Sequence, residues 1–358
     1  MKNNLKNTKI KLNKMVPLDK FVEDALYNKK FGYYTNNISF GKKGDFITAP
    51  IISNLFSEIV GIWIVSSWEQ FGKPKKFNLV ELGPGDGSMA EVLISTFKRF
   101  PKFYKSIDIF MYEKSDYLKR KQKNKINNKK VKWISNFNKV KDGPIIFYGN
   151  EFFDAIPIKQ FLRDRNKIKE KYYFINKNGL NETFKNASKK DTDKINSFSA
   201  LKKLKFIEYP KKGFVELGKM TKKIIKHKGG ILLIDYGFIK PLNKNTIQAV
   251  MKNKKIDINE IVNNYGDIDI TSLVNFNLVH EFFLKEKLKV KNVVSQKFFL
   301  ERMGIIERSK ILGMKMNSKQ KNDVNFTLLR LLHKEFMGDL FKVIFAYKNK
   351  NENFLGFN

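Results

Sequence analysis

One stretch constrains this chain more than any other: Phe77-Asn78-Leu79-Val80-Glu81-Leu82, followed at once by Gly83-Pro84-Gly85-Asp86-Gly87. A short apolar run that meets three glycines at alternate positions reads as a buried strand turning sharply into a helix. Apolar residues at helical spacing from Ser88 to Phe100 supply that helix. The alternation continues. Ile107 to Tyr112 reads as the next strand, Ser115 as the N-cap of a polar helix, and Val131 to Ile134 and Pro144 to Tyr148 as two further strands. Gly230 to Ile234 follows a helical pattern from about Val215 to His227, and Leu340 to Tyr347 reads as a last, antiparallel strand. Unbroken apolar strands alternating with helices predict an α/β fold, a mostly parallel sheet covered on both faces. Asn178-Gly179, between Lys171 to Ile175 and Glu182 to Phe184, predicts a hairpin inserted at the edge of that sheet.

Composition narrows the chemistry. The chain has 358 residues, enough for about two domains or one decorated domain. Its 33 Phe and 13 Tyr exclude a purely solvating chain. It has no Cys, which removes disulfides, thiolate metal sites and thiol nucleophiles. His227, His280 and His333 are far apart, so no metal site is expected. Apolar runs stay short of the roughly 18 residues that span a bilayer, so no membrane span is expected. Lys+Arg 70 against Asp+Glu 35 gives a formal +35, but the lysines are interleaved with asparagines along the whole chain, as in 119–132 and 185–194. That distribution suits solvated faces better than one nucleic-acid footprint. Met1 to Lys14 is basic but lacks an apolar segment, Arg and Ser, from which a cytoplasmic location is expected.

The glycine turn carries the strongest chemical signal. In the pattern E-x-G-x-G-x-G, Gly83, Gly85 and Gly87 let backbone approach a ligand, Pro84 shapes the turn, and Glu81 meets a cationic or hydroxyl-bearing part. The spacing differs from that of dinucleotide sites and is the usual mark of S-adenosylmethionine. Glu113 ends the next strand, where a carboxylate accepts hydrogen bonds from ribose hydroxyls. Further on, Gly149-Asn150-Glu151-Phe152-Phe153-Asp154-Ala155-Ile156-Pro157 places carboxylates and aromatics where an acceptor enters. Glu151 and Asp154, with Asn150 beside them, are the catalytic candidates. A guanidinium stays charged in water, so its site needs carboxylates to hold it and to take a proton. Asp154 also suits the N-cap of a helix starting near Ala155. Gly41 to Pro50 reads as a lid loop in which Asp45, Thr48 and Ser53 reach the donor, or as a surface loop with Thr48 or Ser53 as a cap. Asp235 is expected to bond backbone and Tyr236 to pack; Trp63 and Trp68 are expected in the core, and His227 at helix-terminal carbonyls.

These motifs resemble, over about Leu18 to Val343, the MidA family of S-adenosylmethionine-dependent methyltransferases. The resemblance rests on 26–35 and 41–50, on ELGPGDG and NEFFDAIP, on Ile234-Asp235-Tyr236-Gly237, on 266–276, and on Gln296, Met303-Gly304-Ile305 and Met337-Gly338. Ile51, Ser57 and Leu273 depart from the family's usual Glu, Gly and His. The resemblance implies a Rossmann-like, seven-stranded core, S-adenosylmethionine as cofactor, and a protein arginine as acceptor. The family's mitochondrial members symmetrically dimethylate an arginine of the respiratory complex I quinone-site subunit, so such a subunit is the expected partner, for a bacterial relative. The division expected is 1–75 as a helical and lid region, 76–165 and 205–358 as the methyltransferase core, and 166–204 as an inserted hairpin region. A homodimer stays open. An RNA methyltransferase and a non-catalytic assembly chaperone with the same fold are the rival readings.

Overall fold

A computed structural model describes residues 14–35, 49–52, 54–165, 167–176, 179–251 and 254–358. Asp45, Thr48, Ser53 and Asn178 lie outside them. Seven strands stand in a row: β1 (Phe77–Leu82), β2 (Ile107–Tyr112), β3 (Val131–Ile134), β4 (Ile145–Asn150), β5 (Gly229–Phe238), β6 (Lys289–Val290) and β7 (Phe341–Lys348). Their order is β3-β2-β1-β4-β5-β7-β6. β7 runs antiparallel to β5 and β6, and the neighbours from β3 to β5 are parallel. The sheet has nine strands, because the two-residue pieces Val274–Asn275 and Val294–Ser295 add to β5 and β7.

Both faces are covered, and β1 shows why its sequence is unbroken. All six of its residues are buried: Phe77 and Leu79 enter one core cluster, Val80 and Leu82 the other. A strand with two dry faces cannot alternate polar and apolar residues. α1 (Leu18–Tyr27), α2 (Asn54–Gln70), α3 (Ser88–Lys98), α4 (Asp116–Lys125) and α5 (Lys211–His227) are the helices that bear on the site. α2 lies so close to α3 that a side chain at Gly61 would sit 3.1 Å from Leu93. On α2, Trp63 is fully buried against Phe345 of β7, with ring centroids 4.8 Å apart, and Trp68 packs on Phe103. The stretch 1–75 thus divides: α2 belongs to the main core, whereas α1 joins a second body.

That second body is a five-stranded sheet, and it corrects the expected place of the hairpin. Lys167–Asn176 pairs with Gly179–Asn186 as the Asn-Gly turn predicts, yet its other side takes Lys159–Asp164 and Met15–Pro17 instead of an edge of the main sheet. Phe206–Tyr209 closes the set, so the inserted sheet reaches outside 166–204 on both sides. Buried Tyr173 and Ile175 explain this, because they need an apolar cover and find it on α1, where Phe21 meets Tyr173 at 5.1 Å. A three-stranded sheet of Gln248–Met251, Lys254–Ile256 and Asp269–Thr271 flanks the same cluster.

Candidate active site

The carboxyl ends of β1, β2 and β4 open into a cleft of about 1210 Å³. In an open α/β sheet this is where ligands bind, beside the strand from which the order runs both ways. Here that strand is β1. Its glycine turn is built as the sequence predicts. Gly83, Gly85 and Gly87 have φ of 60°, 56° and 83°, a left-handed region that disfavours side chains. The Gly83 amide donates to the Tyr112 carbonyl at 3.1 Å, and the Gly87 amide to the Pro84 carbonyl at 2.9 Å. α3 then starts with Gly87 as a left-handed N-cap that offers no side-chain acceptor, so its first amides face the turn.

Glu113 sits 7% exposed at the end of β2 and accepts from the Ser115 amide at 2.7 Å and from Gln122 Nε2 at 3.2 Å. Ser115 also caps α4, accepting from the Leu118 amide. Gln122, fully buried on that helix, escaped the sequence reading. Its amide donates to both Gly85 O, at 2.8 Å, and Glu113, while Trp133 Nε1 donates to its oxygen at 2.9 Å. The available signal was its i,i+4 spacing from Leu118, the other buried residue of a helix that is otherwise charged. One residue thereby fixes the glycine turn against the acidic end of the next strand.

The second half of the cleft hangs from β4. Glu151 has φ 52°, unusual for a residue with a side chain, and its amide donates to the Ile234 carbonyl of β5 at 3.0 Å. Asn150 Nδ2 donates to Glu151 Oε1 at 3.0 Å. Phe153 to Ile156 is a turn closed by an amide-to-carbonyl bond of 3.2 Å, and no helix starts at Ala155. The N-cap reading of Asp154 is therefore corrected. Pro157 and the departure of the chain into Lys159–Asp164 forbid a helix there, because the residue before a proline is driven to extended backbone. Asp154 Oδ1 and Asn150 Oδ1 are buried with no hydrogen-bond partner among the described residues.

The two halves touch. A side chain at Gly83 would meet Phe152 at 3.1 Å, so the glycine is also needed to let the second loop close on the first. From the inserted body, Tyr27 donates its hydroxyl to the Ala155 carbonyl at 3.1 Å and stacks on Tyr34 at 5.3 Å. The Ser272 amide donates to the Asp154 carbonyl at 3.1 Å, and neighbouring Asp269 lines the same cleft. Tyr27, Tyr34 and Asp269 lay within quoted motifs without being singled out. Their approach depends on the packing of α1 and the three-stranded sheet, which no local pattern announces.

Electrostatics unite these residues. Burial pushes Glu81 up to about 8, opposed by the Tyr148 hydroxyl that donates to it at 3.2 Å. Burial and the charge of Asp235 push Glu151 up to about 7, and the same causes raise Asp154 strongly. Burial raises Glu113 as well, against the bonds from Ser115 and Gln122. Among the described residues no ion pair engages Glu81, Glu113, Glu151, Asp154 or Asp235, although the chain carries a formal +35. Such carboxylates suit a cationic guest that arrives from outside. The glycine turn with Glu81 and Glu113 fits a nucleoside bearing a positive sulfur and an amino acid tail. Glu113 keeps lone pairs for two hydroxyls. Among the described residues no group of His, Asp or Glu is placed to hold a metal ion, and no helix is long and apolar enough to cross a membrane.

Comparison with known proteins agrees with this geometry. The chain is 26% identical over 344 residues to the protein arginine methyltransferase NDUFAF7, mitochondrial, of Xenopus laevis, covering 86% of this chain and 75% of that one. It is 28% identical over 316 residues to the Drosophila melanogaster homolog, covering 80% and 71%. A Burkholderia thailandensis protein crystallised with S-adenosyl-homocysteine shares the fold with a TM-score of 0.77 at 18% identity, covering 96% of this chain and 89% of that one. A family model described as "Putative S-adenosyl-L-methionine-dependent methyltransferase" matches residues 59–294, more than half of the chain and the whole of the glycine turn and of the loop that carries Glu151 and Asp154. The chain therefore belongs to this family of S-adenosylmethionine-dependent methyltransferases, enzymes whose cofactor is the donor that its strand ends are shaped to receive.

Proposed function

We propose that this methyltransferase acts on protein arginine, with Glu151 and Asp154 as the groups that receive the guanidinium. The observation that carries the reading is a set of carboxylates, half-buried Glu151 and Asp154 with buried Asp235 behind them, that no ion pair engages among the described residues of a strongly basic chain. The names of its relatives support the same acceptor. The resemblance extends the proposal to an arginine of a respiratory complex I quinone-site subunit. When bound, S-adenosylmethionine supplies a methyl carbon on a positively charged sulfur. The chain holds and orients the acceptor, keeps water away and handles one proton. Guanidinium is charged at neutral pH, so the nitrogen that takes a methyl group must release a proton. A carboxylate with ordinary affinity is a poor base at that pH, whereas Glu151, pushed up to about 7, is matched to the task. Asp154 beside it, with an Oδ1 that has no partner among the described residues, is placed to bind the guanidinium, and Asn150 orients Glu151.

Incubation with labelled donor, followed by mass mapping of the labelled product, tests the reading. The acceptors to compare are an arginine-bearing peptide, its lysine counterpart, RNA, and a lysate containing the quinone-site subunit. Label on the arginine peptide and on that subunit alone is the expected result. Label on lysine or RNA with unmodified arginine would overturn it.

A further inference from the structure

We infer that Asp235 is the positioning residue of the acceptor half: its carboxylate clamps the backbone that carries Glu151 and Asp154 and sets a third negative charge among them. The inference rests on the reading that these two receive the acceptor. Asp235 lies near the end of β5 and is 1% exposed. Its Oδ2 accepts from the amides of Phe152 at 3.2 Å, Phe153 at 2.7 Å and Asp154 at 3.3 Å, and its Oδ1 from the Tyr236 amide at 2.9 Å. The preceding carbonyl, of Ile234, takes the Glu151 amide. Four consecutive amides of the acceptor loop therefore donate into two consecutive residues of β5. Successive amides that converge after a left-handed residue make a nest for an anion, and here the chain fills its own nest.

This clamp does more than fix a turn. A neutral acceptor at the same place would leave the three loop bonds standing but remove a charge from behind the loop. The charged groups that face Asp235 are Glu151 and Asp154 on the loop, and Asp269 from its short strand acts on the same two residues. Lys342, opposite Asp235 on β7, turns its ammonium to the Asp339 carbonyl instead. With no ion pair to offset it among the described residues, the charge of Asp235 favours the proton on both neighbours, and burial is the only larger cause. Asp235 thus tunes the loop toward accepting a proton near neutral pH, and it does so without touching the substrate.

The test needs no acceptor. The full-length chain, labelled with carbon-13 at Glu and Asp carboxyls, is titrated by NMR as wild type and as Asp235→Asn, with Glu151→Gln assigning the signal. The Asn oxygen can still receive the three loop amides while only the Tyr236 amide loses its acceptor, so the loop should persist while the titration midpoint of Glu151 moves to lower pH. In Asp235→Ala the amides of Phe152 to Asp154 should exchange at least tenfold faster, with those of β1 unchanged. Should either variant fail to fold, the wild type alone decides: the amide protons of Phe152, Phe153 and Asp154 must shift together with the titration of Asp235. A Glu151 midpoint that stays put in Asp235→Asn, or wild-type amides blind to Asp235, would overturn the inference. A wild type that leaves arginine unmodified would instead overturn the proposed acceptor and leave the NMR result standing.

Discussion

The two halves of the cleft are built by opposite means. The donor half answers its own polar groups: Glu113 has Ser115 and Gln122, the glycine turn has Tyr112 and Gln122, and Glu81 has Tyr148. The other half answers its loop amides but leaves two side-chain oxygens open, Asp154 Oδ1 and Asn150 Oδ1 being buried without partners among the described residues, beside a Glu151 held in left-handed backbone. A satisfied site is preorganised for one invariant ligand. An unsatisfied one stores demand for a charge and hydrogen bonds that only the second substrate brings, so its binding energy appears when both are present.

The strongest way to break this comparison is a crossed pair of substitutions. Glu151→Gln removes the proposed proton acceptor and should lower kcat by roughly 10² to 10⁴-fold, the usual worth of a positioned base. Its donor affinity should stay within about threefold, because no donor-half bond involves Glu151. Gly85→Val puts a β-branched side chain at φ 56° in the turn and should weaken donor binding by roughly 100-fold or more. Calorimetric titration with S-adenosylhomocysteine, beside turnover on an arginine peptide, reads both. If the two variants lose donor affinity equally, the halves are one site and the distinction fails.

A second effect, on the order of 1 to 4 kcal/mol, comes from the donor half before any ligand binds. Glu81 titrates near 4.5 when unfolded and at about 8 when folded. Between those values the native chain holds more protons than the unfolded one, so stability falls as pH rises through the window. Glu81→Gln should flatten that fall. Thermal melts of both proteins from pH 5 to 8.5 measure the difference, and the comparison cancels His227 and His280, whose lowered values act with the opposite sign. Parallel curves would mean that Glu81 stays ionised in the native chain.

The same division explains what the sequence could tell. The strands Phe77–Leu82, Ile107–Tyr112 and Val131–Ile134 were legible to the residue, because burial on two faces imposes apolar runs and the turn glycines punctuate them. The donor half was legible for the same reason: Glu81, the glycines and Glu113 are local to two strand ends. The acceptor half was legible only as a loop with two carboxylates. What shapes it comes from β5, α1 and the strand Asp269–Thr271, brought in from more than 80 residues away in the case of Asp235 and Phe153. The hairpin was read correctly as a hairpin and placed on the wrong sheet, since the pairing partner of an edge strand is decided by which apolar face needs covering, here that of Tyr173 and Ile175. Gln122 was hidden because a single i,i+4 step from Leu118 is too short a trace in a lysine-rich helix.

The smallest effect probes the seam between the halves. Tyr27 reaches from α1 to the Ala155 carbonyl, and the nearby charges that raise its pKa, after burial, belong to Asp269, Glu113 and Asp154, members of both halves. Tyr27→Phe keeps the ring and its stacking on Tyr34 but deletes one hydrogen bond, worth about 1 kcal/mol, or roughly a fivefold change. If α1 serves the acceptor half, that loss appears as a higher KM for the arginine peptide, because the loop of Ala155 loosens while Glu113 keeps both its donors. Should it appear as weaker binding of S-adenosylhomocysteine with the peptide KM unchanged, α1 belongs to the donor half. The boundary then runs through the acceptor loop itself and not along the line where Phe152 meets Gly83.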